Sequence, residues 1–166
     1  NAMAVTGESP SDWGKRCDTI SICLSKGLGA PVGSVLVGNK ALMTEARRVR
    51  KRMGGGMRQA GMLAAACHYA LDHHVVRLKD DHARARRLGE AIKMRPGVTD
   101  LMSVETNILI FSLAGHIPAA AFCEKLKGNG VLAMAIGPHQ VRMVTHLDVD
   151  DAMTDRVMQL IKTTLP

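Results

Sequence analysis

The chain has 166 residues with 46% apolar and 22% charged side chains, the balance of a globular protein, which excludes a disordered or fibrous polymer. Aromatic residues make up 2%, so a core must be built from Leu, Val, Ile, Ala and the 11 Met, and stacking of nucleic-acid bases is poorly served. A formal charge of +7 favours anionic ligands, but no nucleic-acid motif accompanies it, and no apolar run is long enough to cross a membrane.

In chain order, residues 1–15 read as a short helix or loop with a Ser9-Pro10-Ser11-Asp12 cap signal. Asn1-Ala2-Met3 admits two readings, native sequence continuing from upstream or the remnant of a cleaved tag, and native sequence is favoured. Alternation predicts strands over 19–23 and 34–37, flanking a Lys-Gly turn. Residues 40–52 have helical spacing with a basic outer face, ended by Gly54-Gly55-Gly56. Residues 57–72 predict an alanine-rich, buried helix, and 75–94 a charged one stopped by Pro96-Gly97. Beyond it come a strand over 106–113, a helix over 118–127, strands over 131–136 and 140–145, and a helix over 148–163. That second region reads as a compact α+β layer, with a boundary placed between residues 82 and 83.

The four cysteines, Cys17, Cys23, Cys67 and Cys123, form no C-x-x-C pair and have no histidine at a zinc-ligand interval, which favours reduced thiols and no metal site. His73 and His74 adjoin in sequence and diverge on a helix, which disfavours a shared metal.

The chemistry concentrates at Lys26. It follows the β-branched run Thr19-Ile20-Ser21-Ile22-Cys23 and precedes Gly27, Gly29 and Gly33. An amine at the end of a rigid element, beside a backbone stripped of side chains, suits a nucleophile that forms a Schiff base with a bulky carbonyl compound. An ordinary surface lysine in a Gly/Pro turn has the same local sequence. Arg142, in Gln140-Val141-Arg142-Met143-Val144, points away from its apolar neighbours if the segment is a strand, and a guanidinium there suits either a carboxylate ligand or a structural ion pair. Arg58 follows three glycines and is read as opening a helix, where an anion is favoured.

Three blocks carry a family resemblance. They are Ser21-Ile22-Cys23-Leu24-Ser25-Lys26-Gly27-Leu28-Gly29-Ala30-Pro31-Val32-Gly33-Ser34, then Arg50-Lys51-Arg52-Met53-Gly54-Gly55-Gly56-Met57-Arg58-Gln59-Ala60-Gly61, then Gly137 to Val149 around Arg142. In that order and spacing they resemble the low-specificity L-threonine aldolases, pyridoxal-phosphate enzymes of the aspartate-aminotransferase fold type, over nearly the whole chain. The resemblance implies an α/β fold of fold type I, represented by its C-terminal half: the end of the large cofactor-binding α/β domain (1–82, with the lysine) and a small α+β C-terminal domain (83–166). It implies pyridoxal 5'-phosphate as cofactor, with Lys26 catalytic and cofactor-bound and with Arg58 and Ser25 contacting the cofactor. Arg142 and Lys51 then bind the amino-acid substrate, and no residue is assigned to a metal. It implies aldol cleavage of L-threonine or L-allo-threonine to glycine and acetaldehyde, a cytoplasmic homodimer or homotetramer, and an N-terminal half that completes the site. The proton-abstracting histidine of the family belongs to that half, so none of the seven histidines here is assigned the role. His82, His146 and Asn107 lie in family-like segments and are read as hydrogen-bonding groups without an assigned catalytic role. Two alternatives stand beside the aldolase: another lyase of the same fold acting on a β-substituted amino acid, and a catalytically silent unit that serves packing or interaction only.

Overall fold

The computed structural model describes residues 1–164. They divide into two compact units, one over Ala2–Arg77 and one from Leu78 onward to which Asn1 also belongs.

The first unit opens with two short helices, α1 (Ala2–Thr6) and α2 (Pro10–Gly14). The second begins as its residues dictate: the Ser9 hydroxyl accepts from the Asp12 amide, the Asp12 carboxylate accepts from the Ser9 amide, and Pro10 occupies the first turn, where no N–H is needed. Strand β1 (Thr19–Cys23) pairs antiparallel with β2 (Ser34–Gly38), Cys23 opposite Ser34. Helix α3 (Lys40–Arg52) spans the residues its periodicity predicts, capped by the Asn39 side chain, which accepts from Leu42 N–H at 2.9 Å. Helix α4 covers Gly61–His73.

Helix α4 departs from expectation in two ways. It starts at Gly61 rather than at residue 57, because Gln59 adopts a left-handed φ of 53° and Ala60 offers no capping side chain. Nor is it buried: Ala70 alone of its residues is fully enclosed, while Met62 is 86% exposed and Tyr69 59%. An apolar surface all round a helix predicts burial, and within this unit only the Ala70 side finds partners.

The second unit holds helix α5 (Leu78–Lys93), strands β3 (Val98–Leu101) and β4 (Ile108–Leu113), helix α6 (Ala119–Lys127), strands β5 (Met134–Ala135) and β6 (Gln140–Val144), and helix α7 (Asp151–Thr164). Its sheet runs β3-β4-β6-β5, antiparallel throughout. Strand period 2 turns Leu109, Phe111 and Leu113 of β4 and Val141 and Met143 of β6 to one face. There they meet Ala85, Leu88 and Ile92 of α5, Ala119, Phe122 and Leu126 of α6 and Ile161 of α7, a core with Phe111 and Phe122 edge to face. This is the α+β layer the sequence predicts, with two differences. Strand β3 was not legible, since Val98-Thr99-Asp100-Leu101 carries no clean alternation and a bulge shifts its register between Val98 and Asp100. The strand expected over 131–136 shortens to Met134–Ala135.

Polar links tie the layers. Thr145 Oγ1 donates to Asp81 O at 2.7 Å, and Asn107 Nδ2 donates to Thr145 O at 2.8 Å, all three residues being buried. Arg84 and Arg87 of α5 reach Asp151 at 3.1 Å each, and Arg87 also pairs with Asp155. Because Leu109 is wholly enclosed at the centre of this core, Leu109→Ala is expected to lower stability by about 3 kcal/mol in urea unfolding.

Candidate active site

Lys26 sits where β1 gives way to a turn whose neck is closed. Leu24, 1% exposed, donates its N–H to Gly33 O at 3.0 Å, and its own carbonyl accepts from Ala30 N–H at 3.0 Å. Inside that neck Gly29 N–H donates to Lys26 O at 2.8 Å. Helix α4 supplies the floor: Ala70 packs with Leu24 and Ala30, and Ile22, Leu28 and Cys67 surround them. His74 Nδ1–H donates to Leu28 O at 2.6 Å, and Cys67 Sγ–H reaches Val32 O at 3.7 Å. The loop backbone is therefore fixed on both sides, and the Lys26 side chain stands exposed at its apex, with no ion-pair partner among the described residues.

Ser25, also exposed, places its hydroxyl 3.7 Å from Cys23 Sγ. Hydrogen bonding from Ser25, with smaller help from Ser34 and the Lys26 charge, holds the Cys23 thiol below its ordinary range. Burial does the opposite to Cys123.

Two further cations belong to the same unit. Helix α3 ends in a Schellman motif: Gly54 takes the left-handed position at φ 81°, its N–H donates to Lys51 O at 3.2 Å, and Gly55 N–H donates to Arg50 O at 2.8 Å. The turn exposes Lys51 at the helix end and Arg58 in the bend that follows. Arg58 precedes α4 by three residues and does not open it, since the helix begins at Gly61. The argument for an anion at a helix start therefore does not attach to the Arg58 backbone, although its guanidinium carries no ion pair among the described residues.

Arg142 lies in the second unit, on β6 between β4 and β5, opposite Ile110 and Met134. As the strand period requires, Val141 and Met143 face the core while Arg142 emerges half-buried on the other face. Its Nε is buried and has no hydrogen-bond partner among the described residues. An unpaired buried N–H of a charged group is costly, and a carboxylate meeting the Nε edge would satisfy it together with a terminal nitrogen.

The structural residues of the site were less legible than its cations. Leu24 and His74 hold the lysine turn, yet nothing in their sequence neighbourhood signals it. Asn107 ties β4 to the end of β6 and His146 accepts from Asp148 N–H at 3.4 Å. His82 is enclosed, its Nε2 bonded to Asn1 Oδ1 at 2.8 Å, and burial pushes its imidazole below the usual range. Among the described residues no three His, Cys, Asp or Glu side chains gather to hold a metal, and no helix is long and apolar enough to cross a membrane.

Comparison with known proteins places this geometry in context. The family model described as beta-eliminating lyase matches residues 1–115. The low specificity L-threonine aldolase of Escherichia coli K12 is 47% identical over 149 residues, covering 90% of this chain and 43% of the relative. Low-specificity L-threonine aldolase 1 of Arabidopsis thaliana is 37% identical over 149 residues, 88% of this chain and 42% of the relative. The chain thus spans less than half the length of these relatives. Among solved structures, a protein of Exiguobacterium sp. 255-15 assigned as an aromatic amino acid beta-eliminating lyase/threonine aldolase superposes with a TM-score of 0.77 at 18% identity, over 98% of this chain and 49% of that one. Serine palmitoyltransferase of Sphingomonas wittichii gives 0.72 at 17% identity, over 92% and 42%.

The cysteine environments give a direct check on where the Ser25 hydroxyl points. At mildly alkaline pH, Cys23 is expected to react with iodoacetamide faster than Cys123, because a lowered thiol pKa raises its thiolate fraction. Ser25→Ala should slow Cys23 and leave Cys123 unchanged, read by peptide mass spectrometry. Equal rates for the two thiols would contradict the geometry.

Proposed function

Because this chain belongs to the beta-eliminating lyase family and has the α/β fold of the aspartate-aminotransferase-like pyridoxal-phosphate enzymes, we propose that it serves in cleaving the Cα–Cβ bond of L-threonine or L-allo-threonine. The products are glycine and acetaldehyde. The observation that carries this reading is the exposed Lys26 amine on a turn whose neck is closed by both backbone groups of Leu24. Support comes from the threonine aldolase relatives and from the unpaired Nε of Arg142.

The residues suit pyridoxal 5'-phosphate. Lys26 would hold it through Nζ, and Arg58 and Ser25 would contact it, a guanidinium without an ion pair being the chemistry a phosphate calls for. When bound, the cofactor supplies an electron sink for the pair released at Cα. The chain's own residues bind and orient. The turn keeps the amine from drifting, so its approach to a carbonyl carbon is set by the fold and not by chance encounter. Arg142 grips the α-carboxylate through two parallel hydrogen bonds, fixing which way the amino acid lies, and Lys51 is a further cation suited to an anionic substrate. The fold context further suggests a cytoplasmic homodimer or homotetramer working in threonine breakdown and glycine formation.

A second reading, a unit that packs or interacts without catalysis, is favoured by β2, none of whose residues is buried. The two separate on one experiment. With pyridoxal phosphate supplied, the aldolase reading expects a yellow absorbance that is lost in Lys26→Ala, borohydride labelling confined to Lys26, and glycine release from threonine or allo-threonine. A colourless protein, or label elsewhere, would falsify it. Arg142→Lys should raise the threonine KM by about tenfold to a hundredfold, since an ammonium cannot reproduce the paired bonds. An unchanged KM would remove Arg142 from substrate binding.

A further inference from the structure

The turn after α3 contains a contact that its Schellman motif does not need. Gly56 lies beyond the motif, and its φ is not left-handed, so its backbone is open to any L-residue. A side chain there would meet one neighbour. A Cβ at Gly56 would stand 2.7 Å from Lys51 Cδ, 3.6 Å from Cε and 3.5 Å from Nζ. The outer half of the Lys51 side chain thus lies across the bare Cα of Gly56, five residues further along the chain. Lysine is among the side chains that lose most rotamer freedom when held, and among the described residues no carboxylate pairs with Lys51.

We infer that Gly56 is a positioning residue: its bare backbone is the seat that sets the direction of the Lys51 ammonium. The inference rests on the reading of Lys51 as a substrate-binding cation only for its consequence, not for its geometry. The neighbouring glycines differ. Gly54 is required by its φ of 81°, and a Cβ at Gly55 would stand 3.0 Å from Arg50 Cγ and 3.3 Å from the Arg50 carbonyl oxygen, so substitution there disturbs the helix end itself. At Gly56 the contacts are all with the mobile end of one side chain. An alanine there moves Lys51 and leaves the backbone in place.

Gly56→Ala, Lys51→Ala and the double variant, each compared with the parent protein loaded with pyridoxal phosphate, make the test. Acetic anhydride labelling of Lys51 in Gly56→Ala, read by peptide mass spectrometry against Lys40 as internal standard, should rise several-fold as the stem lifts off the Gly56 backbone. The thermal unfolding midpoint should stay where it was. The glycine dissociation constant, titrated through the cofactor absorbance, should rise about tenfold in Gly56→Ala, as for one charge-assisted hydrogen bond misplaced. In the Lys51→Ala background Gly56→Ala should add nothing, because the group it positions is gone. Unchanged Lys51 labelling overturns the inference, as does an effect on glycine affinity that persists in the Lys51→Ala background. Unchanged glycine affinity in Lys51→Ala overturns the substrate-binding reading of Lys51, and the labelling rate then decides the positioning role by itself.

Discussion

Both backbone groups of Leu24 are spent across the neck of the Lys26 turn, and the candidate chemistry depends on that pair of hydrogen bonds. A glycine-rich segment on its own is a flexible tether. Tied from Leu24 N–H to Gly33 O and from Ala30 N–H to Leu24 O, the same segment becomes a rigid mount. The ties persist because Leu24 is buried against Ala30 and Ala70, where a broken bond would leave an N–H or C=O without water. Helix α4 contributes two small residues, Ala70 and Cys67, that pack against the turn, and His74 closes the far side through Leu28 O. The order of cause therefore runs from an apolar residue before the lysine, to two protected hydrogen bonds, to an amine held at an apex.

How much of this could be read in the sequence depends on how local the signal is. Helix α3 was legible to the residue, because its spacing and basic face lie within it and its glycine stop directly after it. Strands β1, β4 and β6 were legible from alternation, and with β6 came the outward direction of Arg142. Helix α4 was not, because composition reports that a helix is apolar but not whether anything covers it. Its start was lost for a second reason: Gln59 in the left-handed region is a conformation that favours glycine, so no sequence rule marks it. Strand β3 was missed because its partner β4, not its own pattern, makes it a strand.

The candidate site shows the same division. The cations Lys26, Lys51, Arg58 and Arg142 stand in blocks whose family resemblance names them, and their residue types fit anionic ligands. What the sequence could not supply is what each touches. Ser25 illustrates the gap: the resemblance implies a contact with the cofactor, and the structure adds a contact with Cys23 that no sequence pattern signals. Arg58 illustrates it differently, since the glycines before it suggested a helix that starts only at Gly61.

The two units differ in how far they sustain themselves, and the difference bears on where chemistry can be built. Among the described residues, the second unit gathers one core of twelve buried apolar side chains drawn from two strands and three helices. The unit carrying the lysine turn encloses three, Leu24, Ala30 and Ala70, while Val35, Leu36 and Val37 of β2 stay exposed on both faces of a two-stranded ribbon. A two-stranded ribbon is marginal in water, and apolar side chains on both of its faces mark a surface suited to further packing. The lysine turn is thus precise in its own hydrogen bonds but mounted on the less self-sufficient half of the chain.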